Sequence, residues 1–77
     1  MAMATFLVTY DLMGAGKNYI ELYVRLSHWR AYRALESVWL VTADTSAASL
    51  RDDLRRYIHP DDRLLVARLS AETAWPR

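Results

Sequence analysis

The sequence predicts an α+β domain in which strands and helices follow one another in the order β-α-β-β-α-β. Two observations carry this prediction. Runs of β-branched and aromatic residues alternate with runs in which apolar residues recur at helical spacing, and turn-forming residues separate the two kinds of run. Of the 77 residues, 53% are hydrophobic and 25% charged, which is typical of one folded domain over residues 1–77.

The first strand is predicted over residues 5–11, which read Thr-Phe-Leu-Val-Thr-Tyr-Asp. Such side chains suit a pleated, half-buried surface, and Phe6, Val8 and Tyr10 share one face of the strand. Asp11 lies on the other face, at the point where strand becomes loop. Sheet proteins often bind ligands at strand ends of this kind.

A loop is predicted over residues 12–17 because Gly14 and Gly16 resist regular structure. Asn18 is the predicted N-cap of the first helix, with Glu21 returning the capping bond. The helix is predicted to end near Trp29. Its predicted buried stripe consists of Tyr19, Leu22, Tyr23 and Leu26.

Residues 32–43 favour strand, since they are rich in β-favouring side chains and contain no glycine or proline. The run is long for one strand, so we predict two strands, or one bent strand, with a break near Glu36 and Ser37. A second helix is predicted to follow, capped by Thr45 or Ser46.

Pro60 is predicted to end the second helix, because proline cannot continue the hydrogen-bond ladder. Asp61 and Asp62 then form a turn, and a last strand runs from Arg63 to Leu69. The predicted buried face of the helix consists of Ala47, Leu50, Leu54, Tyr57 and Ile58.

This order of elements is typical of the ferredoxin-like fold, in which two helices cover one face of a four-stranded antiparallel sheet. The other sheet face must be polar or covered. A core this small rarely supplies more than about 3 to 5 kcal/mol, and the chain has no cysteine. We therefore expect a homodimer, packed face to face or edge to edge, with the apolar tail over residues 70–77 docking on the sheet or on the partner subunit.

The composition favours a cytoplasmic protein without a membrane segment. No signal sequence opens the chain, and no apolar run approaches the roughly 18 residues that a membrane span needs. The formal net charge is +1, so no overall basic field points to nucleic acid. Nearly all the cationic residues are arginine, however, and arginine binds phosphate in two-pronged geometry.

Asp11 is the first candidate site residue, either as a ligand of Mg²⁺ or another divalent cation, or as a turn residue that caps the loop backbone. One carboxylate per chain makes a poor metal site, so the metal interpretation requires a dimer. Glu36 is either a second ligand or a charged surface residue. His28 and His59 suit helix C-termini better than catalysis or a zinc site.

Cationic residues form the second group of candidates. Lys17 closes the glycine-rich loop where an anion can bind, although this loop is too short for a P-loop and better suits a flexible connector. Arg33, Arg51 and Arg55 are candidates for contact with RNA or DNA, or are simply solvated. Trp39 can stack a base, but we expect it to pack in the core or at a dimer contact.

Three motifs, in order along nearly the whole chain, resemble one protein family. Residues 7–12, Leu-Val-Thr-Tyr-Asp-Leu, resemble the strand ending in Tyr-Asp-Ile or Tyr-Asp-Leu that opens the small CRISPR-associated Cas-two proteins and the related virulence-associated D proteins. Residues 36–40, Glu-Ser-Val-Trp-Leu, are similar to the family's Gln-x-Ser-Val-Phe segment. Residues 62–66, Asp-Arg-Leu-Leu-Val, resemble its closing strand.

The resemblance implies a ferredoxin-like homodimer in which two Asp11 carboxylates face each other across a cleft and bind a divalent metal. It implies action on nucleic acid, as a Mg²⁺-dependent endoribonuclease or DNase, or as a non-catalytic bridge that carries DNA. Ser37 carries over as a contact to phosphate or to the metal's water. A catalytically silent module that binds nucleic acid, a nucleotide or a protein in the same cleft is the alternative.

The chain departs from the family pattern in three respects. Its first loop has one cation, Lys17, where the family usually has several basic residues. Glu36 replaces the family's glutamine, and the strand that commonly crosses to the partner is reduced to the segment around Trp75. Together with the near-neutral charge, these departures favour a stand-alone relative over a DNA-bridging adaptation subunit.

Overall fold

The computed structural model of the protein describes residues 3–13 and 19–69. Its elements are β1 (Ala4–Asp11), α1 (Ile20–His28), β2 (Tyr32–Leu35), β3 (Val38–Ala43), α2 (Ala47–Arg55) and β4 (Arg63–Arg68). The four strands form one antiparallel sheet in the order β2-β3-β1-β4. The predicted α+β class, with a four-stranded antiparallel sheet and two helices, is confirmed.

The sheet order interleaves two β-α-β units. β1 and β2 are both antiparallel to β3, so they run parallel to each other on either side of it and are joined through α1. β3 and β4 are both antiparallel to β1 and are joined through α2 in the same way. β1 therefore has a hydrogen-bonded neighbour on each side, whereas β2 and β4 form the edges of the sheet.

One face of the sheet shares a single core with both helices. Phe6 and Val8 of β1 are at most 1% exposed, as their predicted alternation requires. The other buried members of this cluster are Leu22 and Leu26 from α1, Leu50 and Leu54 from α2, and Trp39 and Val41 from β3. Each fully buried leucine contributes about 1.5 to 3 kcal/mol relative to an exposed one, so this shared face is the main source of stability.

The opposite face of the sheet carries apolar side chains that no described helix covers. Leu7 of β1 pairs with Leu40 of β3 and with Ala67 of β4, and Thr9 pairs with Leu65. Leu40 is buried, with 6% of its surface exposed, whereas Leu65 is 58% exposed. This face is therefore apolar, is covered by no described helix, and is open to solvent at Leu65.

α1 agrees with its prediction except at its start. The helix begins at Ile20, and Tyr19 is its N-cap residue. The predicted cap, Asn18, lies outside the described residues, as do the glycines of the preceding loop and the tail over residues 70–77. In the described part of the chain, no helix is long and apolar enough to cross a membrane.

α2 begins where predicted and ends earlier. Ser46 caps it by accepting a hydrogen bond from the amide of Ser49 at 3.1 Å. Its last residue is Arg55, and the amides of the next two residues bond to carbonyls three residues back. This tighter turn ends the helix, so the prediction that Pro60 terminates it is wrong.

A polar contact joins the two helices. Arg25 donates two hydrogen bonds to Asp53, from Nε at 2.7 Å and from Nη2 at 2.8 Å. The indole of Trp29 donates a third to the same carboxylate at 2.8 Å. The Asp53 side chain is only 14% exposed, and the Arg25 hydrogen bonds hold the pKa of its carboxyl below the usual range. This carboxylate therefore fixes the position of α1 relative to α2.

We predict that Asp53→Asn lowers the free energy of unfolding by about 1 to 2 kcal/mol, because an amide has one acceptor oxygen and cannot accept all three bonds from Arg25 and Trp29. Asp52→Asn is the matched control, since Asp52 is exposed and pairs with exposed Arg51. The control should change the stability by less than about 0.5 kcal/mol. Urea unfolding measures both, and equal stabilities would show that the interhelix contact does not stabilise the fold.

Candidate functional site at the end of the central strand

The central strand ends in an exposed carboxylate. Asp11 is the last residue of β1 and, by alternation, lies on the uncovered sheet face with Leu7 and Thr9. Its side chain has no hydrogen-bond or ion-pair partner among residues 3–13 and 19–69. It does not cap the backbone in that part of the chain, so its oxygens are accessible to a ligand there.

Arg63 lies opposite Asp11. The two residues are cross-strand partners at the end of the β1–β4 ladder. Directly opposed residues of antiparallel strands have Cα atoms about 4.5 to 5.5 Å apart, yet no ion pair joins these two side chains. The two residues line a shallow pocket of about 240 Å³ together with Thr9, Tyr10, Leu64 and Leu65. The pocket therefore presents a carboxylate and a guanidinium on a partly apolar surface.

The turn between β2 and β3 reaches the same end of the sheet. The predicted break near Glu36 and Ser37 is confirmed, because these two residues form the turn. Thr9 and Val38 form the last pair of the β1–β3 ladder, and Ser37 lies one residue beyond this pair and Asp11 two residues beyond it. The fold thus brings two predicted site residues to neighbouring strand ends, while their catalytic roles remain predictions.

Asp62 connects three segments near this end of the sheet. Its carboxylate accepts hydrogen bonds from the amide of Met13 at 2.8 Å, from the phenol of Tyr19 at 2.9 Å and from the amide of His59 at 2.8 Å. Met13 follows β1, and Tyr19 precedes α1. One side chain therefore holds the chain on both sides of the loop after Asp11 and ties it to the turn before β4.

These contacts also determine the charge of Asp62. Desolvation raises the pKa of its carboxyl, but the hydrogen bonds from the His59 and Met13 amides and from the Tyr19 phenol outweigh that effect, so the pKa lies below its ordinary value. Asp62 is therefore ionised at neutral pH. Its negative charge is balanced by donors within the chain, whereas that of Asp11 has no described partner.

An aromatic cluster supports the end of β1 on the helix-covered face. The indole of Trp39 donates a hydrogen bond to the hydroxyl of Tyr10 at 2.9 Å, and the ring of Tyr23 stacks on Trp39 with centroids 6.2 Å apart. Burial raises the pKa of Tyr10, so its hydroxyl stays protonated. Trp39 is 8% exposed, which confirms the prediction that it packs in the core.

The cationic candidates differ in how far they are already engaged. The guanidinium of Arg33 lies 5.2 Å from the centroid of the Trp39 ring and donates to the carbonyl of Glu36 at 3.0 and 2.6 Å. Arg51 forms an exposed ion pair with the next residue. Arg55 is exposed, and Lys17 lies outside the described residues. Arg55 lines a cleft of about 200 Å³ with Ile58, His59, Pro60 and Asp62.

The described part of one chain does not supply a complete metal site. Among residues 3–13 and 19–69, no three His, Cys, Asp or Glu side chains form a group that could hold a metal ion. Asp11 offers carboxylate oxygens, which are the ligands that Mg²⁺ prefers, and Mg²⁺ usually keeps several waters. The predicted divalent-cation site therefore depends on a second Asp11 from a partner subunit and stays a prediction.

No known family's sequence profile matches the chain, and no solved structure matches it significantly. The inference of function therefore depends on the geometry of this site and on the motifs of the sequence.

Two residues at this site are not predicted from the sequence. The sequence suggests only a turn at Asp62, whereas its three hydrogen bonds join distant segments. The sequence places Arg63 at the start of the last strand but does not indicate a site role, because its position beside Asp11 depends on the register of β1 against β4. An acid directly before an apolar strand was the one available hint for Asp62.

We predict that the amide resonances of Met13 and His59 titrate together in acid, with a midpoint below about 3.9, the ordinary pKa of aspartate. Because the folded pKa of Asp62 is lowered, its stabilising contribution is complete above the unfolded pKa and is lost as the pH falls through the folded pKa.

Heteronuclear NMR between neutral pH and the acid transition measures this titration. Asp62→Asn should remove it, while Asp61→Asn, at the exposed neighbouring position, should retain it. A midpoint at or above the ordinary value in the wild-type protein would contradict the assigned hydrogen bonds.

Proposed function

We propose that the protein is a homodimer that acts on nucleic acid as a Cas-two-like, Mg²⁺-dependent phosphodiesterase. The observation that carries this proposal is the exposed Asp11 carboxylate, which has no described partner and ends the central strand on an uncovered apolar sheet face. The three motifs that resemble the Cas-two and virulence-associated D proteins support the same function, and Asp11 belongs to the first of them.

The fold assignment that accompanies this proposal is ferredoxin-like. Its support is the interleaving of two β-α-β units, with each helix joining strands that are separated by one strand of the other unit. Both helices pack on the same sheet face, since their buried leucines belong to one cluster. This arrangement leaves the second face for a partner.

The dimer is proposed to form through the uncovered face. Leu7, Leu40 and Leu65 lie there on three adjacent strands, and Leu65 is more than half exposed. Burial of such a surface is favourable by about 25 cal/mol per Å² of apolar area, which a small core needs. Because Asp11 lies on this face, a twofold axis near the end of β1 brings two Asp11 side chains together.

Two Asp11 carboxylates in this position are suited to hold one Mg²⁺ ion. When bound, the ion supplies electrostatic stabilisation for a phosphodiester and activates water as the nucleophile. The role we assign to Ser37, in the turn at the neighbouring strand end, is to donate a hydrogen bond to a phosphate oxygen. Asp62 holds Met13 and Tyr19, the described residues on either side of residues 14–18, and its proposed role is to position the Asp11 carboxylate.

A catalytically silent binding module is the second candidate. It is favoured by the small number of acids at the site, since Asp62 is engaged internally and the described part of one chain has no group of three metal-binding side chains. In that case, the same cleft binds nucleic acid, a nucleotide or a protein without hydrolysis.

We predict that the wild-type protein is a dimer and that Leu65→Lys raises its dissociation constant at least about tenfold, because a charge is placed in the apolar contact. Val24→Lys is the matched control: Val24 is 63% exposed, close to the 58% of Leu65, but lies on α1. Sedimentation velocity measures both. A monomeric wild type contradicts the dimer, and a dimer insensitive to Leu65→Lys contradicts this face.

We predict that the protein cleaves single-stranded RNA or DNA with Mg²⁺, that EDTA abolishes cleavage, and that Asp11→Asn or Asp11→Ala lowers the rate at least about a hundredfold, because the metal loses its ligand. Asp44→Asn is the control, since this exposed carboxylate follows β3 at the opposite end of the sheet.

Gel electrophoresis of end-labelled oligonucleotides follows the reaction, with all variants purified in parallel to reveal a contaminating nuclease. Cleavage that survives both Asp11 substitutions excludes the phosphodiesterase mechanism. Binding of the oligonucleotide without any cleavage favours the silent module.

A further inference from the structure

The Asp11–Arg63 pair combines two opposite charges that do not neutralise each other by contact. The residues are direct cross-strand partners, both are exposed, and no ion pair joins them. The pocket of about 240 Å³ that they line has room for a group of the size of a phosphate. An unpaired guanidinium beside an unpaired carboxylate suits a ligand that interacts with both.

Arg63 also differs from several other arginines in having its donors available. Arg25 is bonded to Asp53, Arg51 to its neighbouring aspartate, and Arg33 to a backbone carbonyl. Arg63 makes no hydrogen bond, ion pair or ring contact with the described residues. Its five N–H donors are thus available for the bidentate recognition of a phosphate, for which the guanidinium is well shaped.

We propose that Arg63 is the phosphate-binding residue of the Asp11 site and receives one backbone phosphodiester of a single-stranded nucleic acid. This inference rests on the proposed function and names a substrate contact to which the sequence motifs assign no role. A single strand is favoured over a duplex because the net charge of the whole chain is only +1, whereas duplex binding depends on many phosphate contacts.

The charges at the site make the binding of the cation and of the nucleic acid cooperative. The positive charge of Arg63 disfavours a divalent cation at Asp11 when no phosphate is present. A phosphodiester placed between Arg63 and the divalent cation is attracted by both positive charges. The cation and the nucleic acid therefore strengthen each other's binding. A purely structural role for Arg63 would produce no such coupling.

The test measures binding of fluorescently labelled oligouridylate and oligothymidylate by anisotropy, in Mg²⁺ and in EDTA, over a range of salt concentrations. Arg63→Ala should weaken binding about tenfold, because one charged hydrogen-bonded contact is lost. It should also reduce the slope of log affinity against log salt by about 0.7. The affinity of Arg63→Lys should lie between those of the wild type and Arg63→Ala, since lysine keeps the charge without the forked geometry. The two oligonucleotides distinguish RNA from DNA as the source of the phosphate.

Arg68→Ala is the matched control, because Arg68 is an exposed arginine at the other end of the same strand. It should leave both the affinity and the salt slope unchanged within about twofold. A second measurement titrates Mn²⁺ into the protein without nucleic acid. Arg63→Ala should bind this ion several-fold more tightly than the wild type, since a nearby positive charge has been removed.

The outcomes separate this inference from the proposed function. If the wild type binds an oligonucleotide but Arg63→Ala matches Arg68→Ala in affinity and salt slope, the inference is wrong and the proposed function stands. If the wild type binds neither oligonucleotide, both are wrong. Circular dichroism verifies that each variant is folded, and Arg63→Gln replaces the alanine variant if the latter is not.

Discussion

The structure depends on the alternation of side chains along β1. Phe6 and Val8 are buried under both helices, so the intervening residues and Asp11 are committed to the other face. Because β1 is hydrogen-bonded on both sides, a shift of one residue would break two ladders and expose the core. The position of the Asp11 carboxylate is therefore a consequence of core packing and not of local preference.

Polar contacts then hold the elements that surround this strand. Asp53 fixes one helix to the other through Arg25 and Trp29, and Asp62 fixes the chain on both sides of the loop after β1. Both carboxylates have a lowered pKa because donors within the chain favour their charged forms. Asp11 differs from them, since its charge has no described partner, and the proposed metal-binding role depends on this availability.

Much of the fold was predictable from the sequence because its signals are local. The strand at residues 5–11, the turn at Glu36 and Ser37, and the cap at Ser46 follow from residue type and spacing. The end of α2 was not predicted. The amides of Arg56 and Tyr57 bond to carbonyls three residues back, and this tighter turn ends the helix five residues before Pro60. Arg33 was a candidate contact for nucleic acid or a solvated residue, and the fold places its guanidinium over the ring of Trp39, which the sequence did not indicate.

The sequence by itself determined the order of strands and helices and placed an acid at the end of the first strand. Both properties depend on residues that are neighbours along the chain. Only the tertiary structure decided that Arg63 lies opposite Asp11, that Ser37 reaches the same end of the sheet, and that Asp62 is engaged internally. These placements depend on strand register and on contacts between distant segments, which are set by the packing of the whole core.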